Sequence, residues 1–411
     1  MSRRFDIFFG FSQIEVDGVV PSEKDAWEHL LRQATLADEL GFGTLWVGGA
    51  HLSLAEQQRH HAVPVLPHFR REVCLNTDIL HLAPVIFSRT RRIGVGSALH
   101  SVLANGGPIA NAEALRTYLA LQAHAPWAGR RLSYGFGAGR FDYVHAAYGV
   151  RPRTEAERVA WPAVRGVALR EAVEVFVRLV VGQGLASADL PPRALTRDSM
   201  RSDADWAGVQ AAMPILADHL EIPPFWSFER LRLIPTEADL SPVTFYLGTM
   251  DPSVVAAGNA ILPCRVFNLS NTPTAVIDAT HARMASTYHP AGGPWHRSYM
   301  PRTVLVFLDA DPRRTPEAQR HAATEAARAG LGAWQRAMEG TVDPVRLREG
   351  MENAVYGNPL DVARQIHQRF HPDDTLMVWF DFNDHDTARV EQSMADFVRL
   401  VVPRVRALEA A

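Results

Sequence analysis

The chain has 411 residues, enough to bury a large core either as one α/β barrel or as two ordinary domains. Hydrophobic residues make up 47% and charged residues 21%, and 42 Lys plus Arg against 45 Asp plus Glu give a formal net charge of −3. That balance leaves no electrostatic footprint for nucleic acid or an acidic membrane surface, and two cysteines, Cys74 and Cys264, exclude a disulfide framework.

The opening "MSRRFDIFFGFSQIEVDG" is interrupted by Asp6 and lacks the apolar run of a signal peptide. No stretch reaches 18 uninterrupted apolar residues, so no membrane span is expected and the predicted location is cytoplasmic. "RFDIFFG" (4–10) reads as the first strand. In the helix that follows, Ser22 and Asp25 form a capping pattern, and Leu30, Leu31, Ala34, Ala37 and Leu40 repeat at helical spacing up to the Gly41 stop. "GTLWV" (43–47) is the second strand. An apolar helix through "NTDILHLAPVIFS" leads to the third, "RRIGVGSA" (91–98), and a helix over 107–124 to the fourth, "RLSYGFGAG" (131–139). A long helix across 155–181, with a kink at Pro162, comes next. Strands at 243–248, 263–269, 302–308 and 375–382 and a closing helix over 386–410 complete the chain.

Eight apolar strands alternating with helices predict an α/β (β/α)8 TIM barrel, since parallel strands are buried on both faces. A doubly wound open sheet has the same local signature, and the strand number distinguishes them. One domain spanning 1–411 is expected, with insertions at about 52–74 and 183–241. The first follows a strand and so belongs to the C-terminal face, where barrel sites are built. The second follows the fourth helix, so its "IPPFWSF" cluster is expected to cover the barrel bottom or an interface, the alternative being that its length lets it wrap around.

Two segments suggest phosphate binding. "YGFGAGR" (134–140) exposes backbone N–H groups around Gly137 and Gly139 beside Arg140, although a plain strand-end turn explains it equally well. "LGTMDPSVVAAGNAI" (247–261) puts Thr249, Met250, Asp251 and Ser253 before a helix, as a phosphate site or an ordinary cap. His-x-His and H-E-x-x-H are absent, so no metal site is expected. Neither cysteine carries a nucleophile motif, and G-x-S-x-G does not occur.

Four stretches together resemble the bacterial luciferase-like flavin monooxygenase family. They are "ATLADELGFGTLWVGGAHLS", "FSRTRRIGVGSALHSVLANGGPIANAEALRTYLAL", "GRRLSYGFGAGRFDYVHAAYGV" and the closing region from "YGNPLDVARQIHQRF" onward. The resemblance implies a barrel of that type, binding reduced FMN that a separate NAD(P)H-dependent flavin reductase delivers. The isoalloxazine would lie across the C-terminal mouth, with Ser97, Ala98 and Leu99 beneath it. Gly137, Gly139, Arg140, Thr249, Met250 and Ser253 would hold the phosphate. A flavin hydroperoxide formed with O2 would then oxidise a small, hydrophobic or natural-product-like substrate, in a homodimer. Family members often carry Glu-His-His after the second strand, whereas this chain has Gly49-Ala50-His51. His51 is therefore the candidate acid–base residue, its alternative role being a hydrogen bond to loop backbone. Phe9, Phe11, Ala50, Phe69 and His100 are the candidate substrate pocket. A deazaflavin-dependent dehydrogenase or reductase on the same barrel, and a non-catalytic flavin-binding barrel, are the competing readings.

Overall fold

A computed structural model describes residues 3–269, 272–338, 348 and 352–410. Ten strands form one parallel sheet: nine are β1 (Phe5–Phe9), β2 (Thr44–Gly48), β3 (Gly94–Ala98), β4 (Leu132–Gly137), β5 (Val243–Leu247), β6 (Cys264–Val266), β7 (Arg302–Leu308), β8 (Ala354–Gly357) and β9 (Leu376–Trp379), and the tenth is the two-residue His100–Ser101 paired beside β4. Their order is β8-β7-β9-β1-β2-β3-β4-β5-β6. The ring closes through a single parallel bridge between Asn268, just past β6, and Arg302 of β7. Asn268 N donates to Pro301 O at 3.0 Å, and Thr303 N donates to Asn268 O at 3.2 Å. Arg302 also pairs with Leu376 and Leu305 with both Trp379 and Ala354, so Asn268 and β8 share one edge of β7 while β9 takes the other. The eight predicted strands all form, and they make the barrel. β8 escaped the sequence reading because four residues, "AVYG", carry too little pattern to stand out.

Helix ends follow the sequence chemistry. In α1 (Glu23–Leu40), Ser22 accepts from Asp25 N at 3.1 Å, and Gly41 takes the left-handed conformation at φ 83. Buried Asp38 accepts from the amides of Arg91, Arg92 and Ile93 at 2.7–2.8 Å, which ties the end of α1 to the entry of β3. The predicted helix at 155–181 is two, Glu155–Val159 and Trp161–Val180, parted at Ala160. Pro162 begins the second one instead of kinking a single rod, because its missing N–H falls where no intrahelical partner exists.

Strand alternation sorts the core into two shells. Phe8, Trp46, Ala98, Tyr246, Phe267 and Met377 fill the barrel, with Trp46 edge-on to Tyr246 at 4.9 Å. Below them, Asp6 accepts from Trp46 Nε1 and Thr44 N at 3.0 Å. Ile7, Phe9, Leu45 and Val47 face the helices instead. Gly96 makes room for Trp46, because a Cβ there would lie 2.5 Å from the indole.

The segment at 52–74 sits at the C-terminal mouth, holding a short helix (Leu54–His60) and a loop whose Leu66 packs with Leu54, Ala104, Phe141 and Val144. The second insertion differs from expectation. It leaves the end of the long helix, climbs its outer flank and builds a small core of Leu195, Trp206, Val209 and Ile222 on Ala160 and Val164. Phe225 and Trp226 donate their amides to Glu171, and a Cβ on Gly107 would meet Trp226 Nε1 at 2.8 Å. Its aromatic cluster therefore covers the barrel's side, not its bottom, because a segment this long can run back toward the mouth.

Candidate functional site at the barrel mouth

The C-terminal strand ends converge on a cavity of about 210 Å³ that opens to solvent. Phe8, Gly10, Gly48, Gly49, Ala98 and Trp379 contribute its floor and one wall. Leu66, Phe69, Val73 and Cys74 of the first insertion, Arg140 and Phe141 after β4, and Trp334, Asp381, Phe382 and Asn383 contribute the rest. The rings are mutually packed: Trp379 lies 4.5 Å from Phe8 and 4.9 Å from Phe382, centroid to centroid.

Glycines set the shape of the floor through close backbone approach. A Cβ on Gly48 would lie 3.0 Å from Gly10 O, and one on Gly49 would lie 2.9 Å from Leu99 O. The Ala98–Leu99 peptide is cis. Leu99 folds over Gly135 and Gly248, where a Cβ on Gly248 would fall 1.8 Å from Leu99 Cδ1. Ser97 is buried and donates its hydroxyl to Gly135 O at 2.7 Å. Gly48 thus admits the backbone of Gly10 and Gly49 that of Leu99, and both glycines line the cavity.

Two histidines stand beside the floor. His51 is buried, with its ring 5.8 Å from His100 and 6.3 Å from Tyr148. Burial lowers its pKa to about 4, helped by repulsion from His100, so the imidazole is neutral at pH 7. His100 hydrogen-bonds Asn111 Oδ1, and burial lowers its pKa as well. His51 therefore holds no proton to give near neutrality. Burial also pushes the Cys74 thiol up to about 12, which keeps it protonated and unreactive. Burial raises Asp381 to about 7, opposed by the amide of Gly10 at 3.4 Å. Arg140 is lowered to about 10 by desolvation and stays cationic at pH 7.

The two predicted phosphate segments abut at the β4–β5 rim, where a Cβ on Gly137 would lie 3.3 Å from Gly248 O. Thr249 Oγ1 accepts from Asp251 N at 3.1 Å, and Asp251 accepts from Ser253 N and Ser253 Oγ at 2.8 Å. The acidic cap already occupies that helix start, and Met250 packs against the main core. Gly139 is left-handed at φ 76, with Ser101 and His145 bonded to the preceding Ala138 carbonyl.

Of the candidates read from sequence, Ala98, Arg140 and Phe69 line the cavity. Phe9 and Phe11 do not. Phe9 faces the helices by strand alternation, Phe8 taking the inward place, and Phe11 packs on Trp27 at 4.4 Å. Ala50, His51, Ser97, Leu99, His100, Gly137, Gly139, Thr249, Met250 and Ser253 lie outside the lining. Trp379, Asp381 and Phe382 escaped notice although "TLMVWFDF" ends the last barrel strand, a position where barrels place reactive groups.

The donor set suits a flat aromatic ligand with a polar edge and an anionic tail. The walls are aromatic, Arg140 supplies a cation, and the buried indole Nε1 of Trp379 has no hydrogen-bond partner among the described residues. A scan against family models and a search of curated proteins find no match. Solved structures do match along nearly the whole chain. Monooxygenase RslO1 from Streptomyces bottropensis aligns at TM-score 0.62 and 17% identity, covering 97% of this chain and 99% of its own. The oxygenating constituent of 3,6-diketocamphane monooxygenase from Pseudomonas putida, a type II Baeyer–Villiger enzyme in complex with FMN, aligns at TM-score 0.56 and 15% identity, covering 98% and 99%. An F420-dependent secondary alcohol dehydrogenase aligns at TM-score 0.52 and 14% identity, covering 98% and 99%. The protein is an α/β barrel with its candidate site at the C-terminal mouth. Its fold is that of the luciferase-like monooxygenases.

Proposed function

We propose that the protein is a flavin-dependent monooxygenase that binds FMN in the mouth cavity and, with reduced flavin and O2, oxidises a small hydrophobic or natural-product-like molecule. The observation carrying this reading is the aromatic-walled cavity above Ala98–Leu99, in a fold shared end to end with an FMN-bound oxygenating enzyme. Reduced flavin supplies the electrons that activate O2. The chain's own residues do the rest. Gly10, Gly48, Gly49 and Ala98 present a floor without side-chain bulk, and Trp379 Nε1–H offers a donor to the ligand's polar edge. Arg140 meets the anionic tail. Leu66, Phe69, Val73, Phe141 and Trp334 form the apolar outer part that takes the substrate and excludes water. In this reading the protein works in the cytoplasm as a homodimer and receives reduced flavin from an NAD(P)H-dependent reductase; no described helix is long and apolar enough to cross a membrane.

The test is an FMN fluorescence titration of the wild type and of Ala98→Phe, which fills the floor, followed by incubation with NADH, a flavin reductase and O2. Saturable binding that Ala98→Phe abolishes, with a hydrophobic ketone or aromatic compound gaining one oxygen atom, supports the reading. No binding by the folded wild type overturns it. The likeness to the F420-dependent dehydrogenase supports a second reading, deazaflavin-dependent hydride transfer. That reading predicts product formed anaerobically with the deazaflavin and none with FMN and O2. Flavin binding without either reaction marks a non-catalytic barrel.

A further inference from the structure

Gly49 and Ala50, which follow β2, carry no titratable side chain, and neutral His51 lies outside the cavity lining. The cavity nevertheless contains one carboxyl among its described lining residues, and it comes from the opposite side of the ring. Asp381 stands two residues past the end of β9, the last barrel strand, between Trp379 and Phe382. It accepts a long bond from Gly10 N, at 3.4 Å, the Trp379 side chain and the Phe11 amide also favour its ionised form against burial, and it forms no ion pair among the described residues. Cys74, from the first insertion, is a protonated thiol. In the crevice behind it, His29 comes from α1, Asp384 is paired with Arg389 at 2.6 Å, and His385 is bonded to Ile14 O at 2.6 Å. Among the described lining residues Arg140 is the one cation.

We propose that Asp381 is the residue that exchanges a proton with the ligand bound in the mouth cavity. A carboxyl set among Trp379, Phe382 and Phe8, with no ion pair among the described residues, loses more to burial on ionising than its hydrogen bonds return, so it carries its proton into the neutral range. Its titration near pH 7 is what an acid–base group working at that pH requires. The proton passes from the Asp381 carboxyl to a heteroatom of the ligand and is regained from solvent, with no electron transferred to or from the side chain. The inference rests on the flavin reading for the identity of the ligand, and on the geometry alone for the identity of the residue.

The test compares the wild type, Asp381→Asn and Asp381→Glu, with folding checked by circular dichroism. In the ligand-free proteins, infrared difference spectra against Asp381→Asn should show a protonated-carboxyl band in the wild type that disappears as pH rises through about 7. With FMN as the probe, the binding constant of Asp381→Asn should stay within about twofold of the wild type. The rate at which bound reduced FMN is reoxidised by O2, yielding H2O2, should change with pH around 7 in the wild type. Asp381→Asn should lose that dependence and fall about 100-fold or more, while Asp381→Glu restores a shifted dependence. FMN binding with the same pH profile in Asp381→Asn and wild type overturns the proposal alone, as does a carboxyl fully ionised at pH 5. Absence of FMN binding by the wild type overturns the flavin reading, and the proposal's ligand with it.

Discussion

Replacing His51 by Gln tests whether this histidine is held neutral. Its pKa falls from 6.5 to about 4 on folding, burial being the larger cause and His100 the second. A depressed histidine pKa means that the native state disfavours the proton. The resulting stabilisation is fully present above pH 6.5 and is lost as pH falls toward 4. At 1.36 kcal/mol per unit the whole effect is about 3.4 kcal/mol, and about 2.5 kcal/mol of it has gone by pH 4.5. Urea unfolding of both proteins at pH 7.5 and pH 4.5 reads the difference. The wild type should lose about 2.5 kcal/mol more than His51→Gln between the two conditions. Parallel losses in the two proteins would refute the burial argument and return His51 to the set of residues charged near neutrality.

Gly135→Ala places a Cβ 2.2 Å from Ser97 O, which is strand backbone and cannot swing aside, so β3 and β4 must part. A cost of about 1–3 kcal/mol is expected in urea unfolding, and an unchanged midpoint contradicts the packing. Asp38→Ala leaves three amides at the entry of β3 without their acceptor, and about 2–3 kcal/mol should be lost at pH 7. Because these bonds lower the Asp38 pKa against the opposing effect of burial, that loss should shrink as pH falls below the ordinary carboxylate range. Cys74, pushed up to about 12 by burial, should resist iodoacetamide at pH 8 in the folded protein; rapid labelling would show that the thiol is open to solvent.

The barrel was legible because parallel strands buried on both faces stand out as apolar runs, and helix caps such as Ser22 and Gly41 mark where each unit turns. Which side of a strand looks inward was harder to read. Phe8 and Phe9 are both aromatic and adjacent, and only the register with β2 and β9 assigns Phe8 to the cavity. Long-range assembly was beyond pattern. Nothing local to "TLMVWFDF" says that Asp381 meets Gly10 and Cys74, and nothing in "VGGAHLS" says that Gly49 makes room for the Leu99 carbonyl. The helix-start segment at Thr249 to Ser253 is ambiguous for a different reason. A cap and a phosphate site use the same residues, and here the acidic cap is made by Asp251 itself.

The central claim is that the mouth cavity holds a flavin, and a crystal structure of the protein grown with FMN tests it most directly. The account predicts the isoalloxazine density over Ala98–Leu99, walled by Trp379 and Phe8, with the phosphate toward Arg140 and the Asp381 carboxyl within hydrogen-bond reach of the ligand. Density for FMN anywhere else on the protein, or a cavity that excludes it at saturating concentration, would contradict the account.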